Sequence, residues 1–166
     1  MSLLEGHEEQ CELHSNLLVL RNVPFFQGLS PDFLRVLAYL CEKQVFAARD
    51  VILQEGEPAE TAVVAVRGWA TIEHGDTVVE RLEEGGCVGG FSLLGQYRWL
   101  YTLRAVTEVE CLLMPRFKFL PQIQARPDAL ITLVRGLIAA AMDREHRLLQ
   151  ARPGCYLMAG NGDGTH

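Results

Sequence analysis

The chain has 166 residues, of which 49% are hydrophobic and 22% are charged, and its formal net charge is −6. This composition is typical of a folded domain with its own core, and the negative balance argues against a nucleic-acid-binding surface, which needs a basic face. Five cysteines without a CxxC pair, and no apolar run near the roughly 20 residues that span a bilayer, predict a reduced cytoplasmic protein without membrane insertion.

The N-terminal part is predicted to be helical. Residues 1–22 carry leucines at helical spacing after an acidic start, and Pro24 ends this helix. Ser30-Pro31-Asp32 begins a second helix, because it offers an N-cap, a proline at the first helical position and an acid in the first turn. We expect three phenylalanines to be buried where these helices meet the rest of the fold: Phe25, Phe26 and Phe33.

The pattern changes after Lys43 to short apolar runs separated by turn residues. Turns recurring about every eight to twelve residues are typical of a barrel or jelly roll. The predicted strands cover residues 44–46, 51–53, 61–66, 69–72, 77–79, 100–106 and 110–114, and Arg81-Leu82 leads into the glycine cluster. The predicted fold class is therefore mainly β, a β-roll or jelly roll with flanking helices.

The C-terminal part is predicted to be helical again. A short helix covers residues 116–124, and a longer one begins at Asp128 and continues to about Ala151. Small residues on the long helix would let a second helix approach; these are Gly136, Ala139 and Ala140. The alternative is a helix that packs only on its own β-roll.

These patterns divide the chain into four parts. They are an N-terminal helix (1–22), a β-roll (23–126), a C-terminal helix (127–151) and a glycine-rich tail (152–166) that is predicted to be disordered.

The stretch from Cys87 to Thr107 is the main candidate for a ligand site. Glycine pairs at 85–86 and 89–90 precede a short helix start at residues 91–94, and Arg98 follows. Backbone amides at a helix start attract anions, and an arginine pairs well with phosphate. The alternative is a glycine-rich turn with a surface arginine.

The order of the segments Val23–Ser30, Val51–Glu57 and Gly68 resembles the cyclic nucleotide-binding domain family. That family includes sensor domains of kinase regulatory subunits, gated channels and catabolite-activator-type regulators. The resemblance implies a β-roll flanked by an N-terminal helical bundle and two C-terminal helices. It also implies cyclic AMP or cyclic GMP as ligand, no required cofactor, and a C-terminal helix that signals occupancy.

The family's phosphate-binding pattern resembles Phe-Gly-Glu-x-Ala-Leu-Leu, four residues, then Arg-x-Ala-Thr or Ser. Gly89, the pair Leu93-Leu94 and Thr102 match it. Gly90 stands where the family has the glutamate that binds the ribose, and Trp99 stands where it has the arginine that binds the phosphate.

The candidate ligand-binding residues are therefore Gly89, Gly90, Phe91, Ser92, Leu93, Arg98 and Thr102. Affinity is expected to be weak, because the carboxylate is missing and Arg98 lies one residue early. Trp99 and Tyr101 point to one face of a strand and would fill the pocket themselves.

Two functions follow from this reading. The first is a regulatory sensor that binds a cyclic nucleotide or another small anion weakly. The second is a non-binding domain that acts as an interaction module, either as a homodimer through the C-terminal helix or against an output domain in a longer chain.

Two further classes of protein have less support in the sequence. A haem sensor would use His74 and Cys87 as iron ligands, but neither has a supporting pattern. The sequence shows no paired nucleophile and base and no clustered carboxylates that would indicate an enzyme. It also shows no metal-ligand spacing that would indicate a metal site.

Overall fold

Antiparallel strands form two sheets of four strands each in the computed structural model, which describes residues 2–151. In chain order, β1 to β8 are Glu42–Phe46, Val51–Leu53, Thr61–Arg67, Ala70–His74, Thr77–Leu82, Cys87–Val88, Thr102–Ala105 and Val109–Pro115. One sheet has the order β1-β8-β3-β6 and the other β2-β7-β4-β5. This arrangement confirms the predicted β-roll or jelly roll with flanking helices.

Helices precede and follow the two sheets, and one short helix lies between β6 and β7. They are α1 (Ser2–Arg21), the first 3₁₀ helix (Pro24–Phe26), α2 (Pro31–Leu40), the second 3₁₀ helix (Gly90–Leu93), α3 (Arg116–Gln124) and α4 (Pro127–Gln150). Ser30 caps α2 as predicted, since its hydroxyl accepts a hydrogen bond from the Phe33 amide at 3.3 Å. The predicted disordered tail, 152–166, lies outside the described residues.

One predicted strand begins later than expected. The apolar pattern predicts a strand from residue 100, but β7 begins at Thr102. The preceding segment, residues 97–99, instead forms backbone hydrogen bonds with the loop at residues 56–59. Leu100 is left 74% exposed between the two pairings.

Buried apolar side chains form two clusters, which we call the helix core and the roll core. The helix core packs the helices on the outer face of the first sheet and contains Phe25, Phe26 and Phe33, as predicted. The roll core lies between the sheets and contains Val63, Leu103 and Trp99. The first 3₁₀ helix belongs to the helix core and contacts α4, so it connects the N-terminal helices with the C-terminal one.

The small face predicted on α4 is used within the chain at Gly136. A methyl group there would lie 2.7 Å from the carbonyl oxygen of Phe25 and 2.9 Å from its Cα. Gly136 therefore faces the first 3₁₀ helix, and the expectation that it faces a second copy is wrong. Leu133 and Leu137 lie on the same buried side of α4.

Another side of α4 is apolar and exposed. We call this the outer stripe: Ile131, Val134, Ile138, Met142 and Leu149. Within residues 2–151, no helix is long and apolar enough to cross a membrane.

The helix core gives a test of this architecture. Phe26 is 1% exposed, so Phe26→Ala should reduce the free energy of unfolding by about 3–5 kcal/mol in urea denaturation. Phe117, which is 74% exposed, is the matched control, and Phe117→Ala should change it by less than about 0.5 kcal/mol. Equal effects of the two substitutions would contradict the assignment of the core.

Candidate functional site

The second 3₁₀ helix is fixed by the side chain of Ser92. Its hydroxyl lies 2.8 Å from the carbonyl oxygen of Thr61 and 2.7 Å from that of Gly89, and the residue is fully buried. One hydroxyl proton therefore serves two carbonyl acceptors, one in β3 and one at the helix start. Ser92 holds the turn against the sheet and has no side-chain donor left for a ligand.

Gly89 allows the closest contact in this region. It has a φ of 79°, which favours glycine. A methyl group at Gly89 would lie 2.6 Å from the carbonyl oxygen of Thr61 and 2.7 Å from Cη2 of Trp99. The edge of the indole ring thus lies directly against the glycine that the family pattern places beside the phosphate.

Trp99, whose ring lies beside Gly89, packs against two further aromatic side chains. Trp99 is 4% exposed and belongs to the roll core. Its ring centroid lies 5.8 Å from that of Tyr97 and 5.7 Å from that of Tyr101. Burial raises the pKa of Tyr101 above its ordinary value, because the charged phenolate is poorly solvated there. The rings of Trp99 and Tyr101 thus lie side by side, as expected for residues on one face, although neither residue belongs to β7.

Arg98 points in the other direction. Its guanidinium donates to the carbonyl oxygen of Gly56 at 2.8 Å and is exposed. The backbone around it is held by three hydrogen bonds: Ala59 N to Tyr97 O at 2.9 Å, Trp99 N to Glu57 O at 2.9 Å, and Gly56 N to Trp99 O at 2.8 Å. This pairing, which we call the 56–59 seam, directs Trp99 inward and Arg98 outward.

Gly90 faces the helix core. A methyl group at this position would lie 2.9 Å from the Phe25 ring and 2.9 Å from Cδ2 of Leu137. Leu93, one turn later, is fully buried in the same core, whereas Phe91 is 53% exposed. In this backbone, a side chain in the place of the family's glutamate would meet Phe25 and Leu137.

Thr102 is also engaged within the chain. Its hydroxyl oxygen accepts hydrogen bonds from the amide nitrogen of Glu55 at 3.1 Å and from the side chain of Gln54 at 3.3 Å. The residue is 6% exposed. Thr102 thus joins β7 to the loop after β2 and presents no free oxygen to a ligand.

The candidate site residues fall into two groups. The structure brings together Gly89, Gly90, Phe91, Ser92 and Leu93, which are contiguous, and separates from them Arg98 and Thr102. The sequence reasoning missed Thr61 and Gln54. Thr61 acts through its backbone carbonyl, which no residue pattern reveals, while the Gln54-Glu55-Gly56 turn was a visible signal.

The haem alternative has no support in the geometry. His74 lies on β4 in one sheet and contacts Glu55 at 3.1 Å, whereas Cys87 begins β6 in the other sheet. Burial raises the pKa of the Cys87 thiol to about 12, which disfavours the thiolate that iron binds. Within the part of the chain that the structure describes, no three His, Cys, Asp or Glu side chains are grouped to hold a metal ion.

Comparison with family models identifies one match. The model described as "Cyclic nucleotide-binding domain" matches residues 43–126, which is half of the chain. This range includes both sheets except Glu42, the first residue of β1, together with the second 3₁₀ helix and α3. No curated protein matches the chain.

Solved structures share the fold. The N-terminal domain of a transcriptional regulator from Streptomyces coelicolor A3(2) is 21% identical, with a TM-score of 0.65, over 86% of this chain and 99% of that one. A putative cyclic nucleotide-binding protein from Geobacter metallireducens GS-15 is 22% identical, with a TM-score of 0.67, over 76% and 96%. A cyclic nucleotide-binding-like protein from Brucella abortus is 26% identical, with a TM-score of 0.59, over 66% and 97%.

The contact between Gly89 and Trp99 makes a prediction about stability. Gly89→Ala should reduce the free energy of unfolding by about 2–4 kcal/mol. The loss has two sources, because alanine disfavours the left-handed backbone at this position and its methyl group would overlap with the Trp99 ring and the Thr61 carbonyl oxygen. Gly75 is the control, because its φ is 55° but nothing lies within 4 Å of a methyl group there. Gly75→Ala should cost only about 1–2 kcal/mol. Chemical denaturation measures both, and equal losses would show that the ring edge does not contact Gly89.

Proposed function

Because the chain belongs to the cyclic nucleotide-binding domain family, we propose that it is a regulatory module whose nucleotide pocket is filled by its own Trp99 and Tyr101. In this proposal α4 is the signalling element, and it pairs with α4 of a second copy of the chain. The observation that carries the proposal is the position of Trp99. It stands where the family has the phosphate-binding arginine, and its ring edge lies against Gly89.

The energetics favour the filled pocket over nucleotide. A nucleotide would first have to displace Trp99, and removal of a buried tryptophan side chain costs on the order of 3–5 kcal/mol. This cost lowers the apparent affinity in proportion to the population of the open state. The incoming phosphate would then lack a cation, since Arg98 is turned to Gly56 on the outside of the 56–59 seam.

The side chains that would bind ribose and phosphate are also engaged. The Ser92 hydroxyl donates to two backbone carbonyl oxygens, and the Thr102 hydroxyl oxygen accepts hydrogen bonds from the Glu55 amide and the Gln54 side chain. The family's carboxylate position, Gly90, faces the helix core. These contacts support a scaffold that keeps the fold of a sensor and does not depend on nucleotide.

The outer stripe of α4 supports a helix pair as the output. Its members are spaced by three, four, four and seven residues, so they form one continuous apolar face along the helix: Ile131, Val134, Ile138, Met142 and Leu149. All five remain exposed while the neighbouring side of α4 packs on the first 3₁₀ helix. A second copy offers an identical stripe, so the two surfaces match by symmetry.

Calorimetry tests the state of the pocket. The parent chain should give no binding heat with cyclic AMP or cyclic GMP up to about 1 mM. Trp99→Arg, which restores the family's cation, should unfold at a lower temperature than the parent and should regain stability as cyclic AMP is added. Trp99→Leu is the matched control, because it empties the same space without a cation and should not respond.

One outcome would contradict the filled pocket, and a variant would then identify the phosphate ligand. Micromolar or tighter binding by the parent would show that Trp99 leaves readily and would favour the weak-sensor alternative. Loss of any such binding in Arg98→Ala would identify Arg98 as the phosphate ligand.

The homodimer is tested by sedimentation. Ile138→Arg places a charge in the centre of the outer stripe and should weaken the dimer by at least about tenfold. Ala139→Arg is the control, since Ala139 is exposed on a different side of α4. A parent chain that stays monomeric at all concentrations would contradict the homodimer and favour contact with an output domain. Disruption of the dimer by Ala139→Arg and not by Ile138→Arg would show that the two copies pair through the small residues of α4.

A further inference from the structure

Phe25 lies between the site and α4, held by two glycines. Its ring meets Gly90 of the second 3₁₀ helix, where a methyl group would come within 2.9 Å. Its backbone meets Gly136 of α4, where a methyl group would come within 2.7 Å of the carbonyl oxygen. Either glycine replaced by any other residue would push on the same phenylalanine. We call these three residues the glycine clamp.

Neighbouring contacts hold the clamp on both sides. A methyl group added at Gly90 would meet Leu137 of α4 as well as Phe25. Leu133, one turn before Leu137, is fully buried. On the other side, Ser92 binds the second 3₁₀ helix to β3. The second 3₁₀ helix therefore has no space to move without displacing Phe25 and α4 together.

The far end of α4 has a separate attachment to the roll. Arg144 lies beyond the buried turns of the helix, and its guanidinium donates to the carboxylate of Glu80 on β5 at 2.7 Å. Both side chains are about half exposed, so this ion pair is weak by itself. The glycine clamp already fixes the N-terminal half of α4 on the roll. The ion pair therefore needs only to orient the C-terminal turns of α4 over the second sheet.

We propose that the glycine clamp holds α4 on the roll in a single position that does not depend on any ligand, with the Arg144–Glu80 pair orienting its far end. This inference rests on the proposed function, because it specifies how the output helix of a filled pocket is regulated. The outer stripe is then presented permanently. Its occupancy depends on the concentration of partner helices and not on nucleotide.

Glycine-to-alanine substitutions distinguish this proposal from ordinary helix behaviour. Alanine favours a helix over glycine, so Gly136→Ala would stabilise α4 if the position were free. With the clamp, the added methyl group collides with Phe25 and displaces the helix. Gly90→Ala should have the same effect on α4 from the other side of Phe25, although it lies in a different element.

Hydrogen exchange of the amides in residues 127–150 measures the outcome. Gly136→Ala and Gly90→Ala should each accelerate exchange there by about tenfold or more. Gly95→Ala is the control, because a methyl group at Gly95 has no contact closer than 3.5 Å, and it should leave exchange unchanged. Tryptophan fluorescence in a Trp69→Phe background, where Trp99 is the one tryptophan left, should stay at the value of that background and shows that the roll core is intact.

Several results would overturn the clamp. Exchange that is unchanged or slower in Gly136→Ala would show that Phe25 does not restrain α4. Where the alanine variants do not fold, Arg144→Glu should accelerate exchange only in the distal turns, and Glu80→Arg added to it should restore protection. An absence of both effects would contradict the far attachment.

Cyclic AMP separates failure of this inference from failure of the proposed function. Binding heat with unchanged exchange in α4 would refute the filled pocket and leave the clamp in place. Altered exchange of α4 on addition of cyclic AMP would refute the ligand-independent position itself.

Discussion

The contact between the edge of the Trp99 ring and Gly89 is the constraint on which the site depends. It requires glycine at 89, because a methyl group would reach the ring and the Thr61 carbonyl oxygen at once. It also requires the 56–59 seam, which turns residue 99 inward and residue 98 outward. A single register choice in a short segment thus decides that an indole, and not a guanidinium, meets the place where the family pattern puts a phosphate.

The same segment shows how far the sequence could predict the structure. Helix starts and strands could be predicted because their signals are local: Ser30 caps α2, and a continuous apolar run marks Thr61–Arg67. The late start of β7 was not readable. It results from backbone hydrogen bonds to a distant loop, which leave no mark in the residues that form them. That Trp99 and Arg98 point in opposite directions was predictable from the alternation of side chains. The backbone hydrogen bonds of the 56–59 seam, which hold Trp99 in place, were not predictable.

The glycines illustrate a second limit. Gly90 and Gly136 could be interpreted from the sequence as a missing carboxylate and as a surface for another helix. In the structure, both fit against Phe25, which is separated from each of them by many residues along the chain. A glycine in the sequence can indicate that a side chain would not fit at that position, but it does not indicate which neighbouring residue limits the space. Only the packing of the first 3₁₀ helix against α4 assigns the role.

A pocket filled by its own side chains has a consequence for the lifetime of the protein. A domain that binds nucleotide is stabilised by it, so the unfolded fraction that proteases attack rises when the nucleotide is scarce. In the filled pocket proposed above, Trp99 takes the place of that ligand and is covalently part of the chain. The abundance of such a module would then not follow the nucleotide pool, and its turnover would be set by its own folding equilibrium alone.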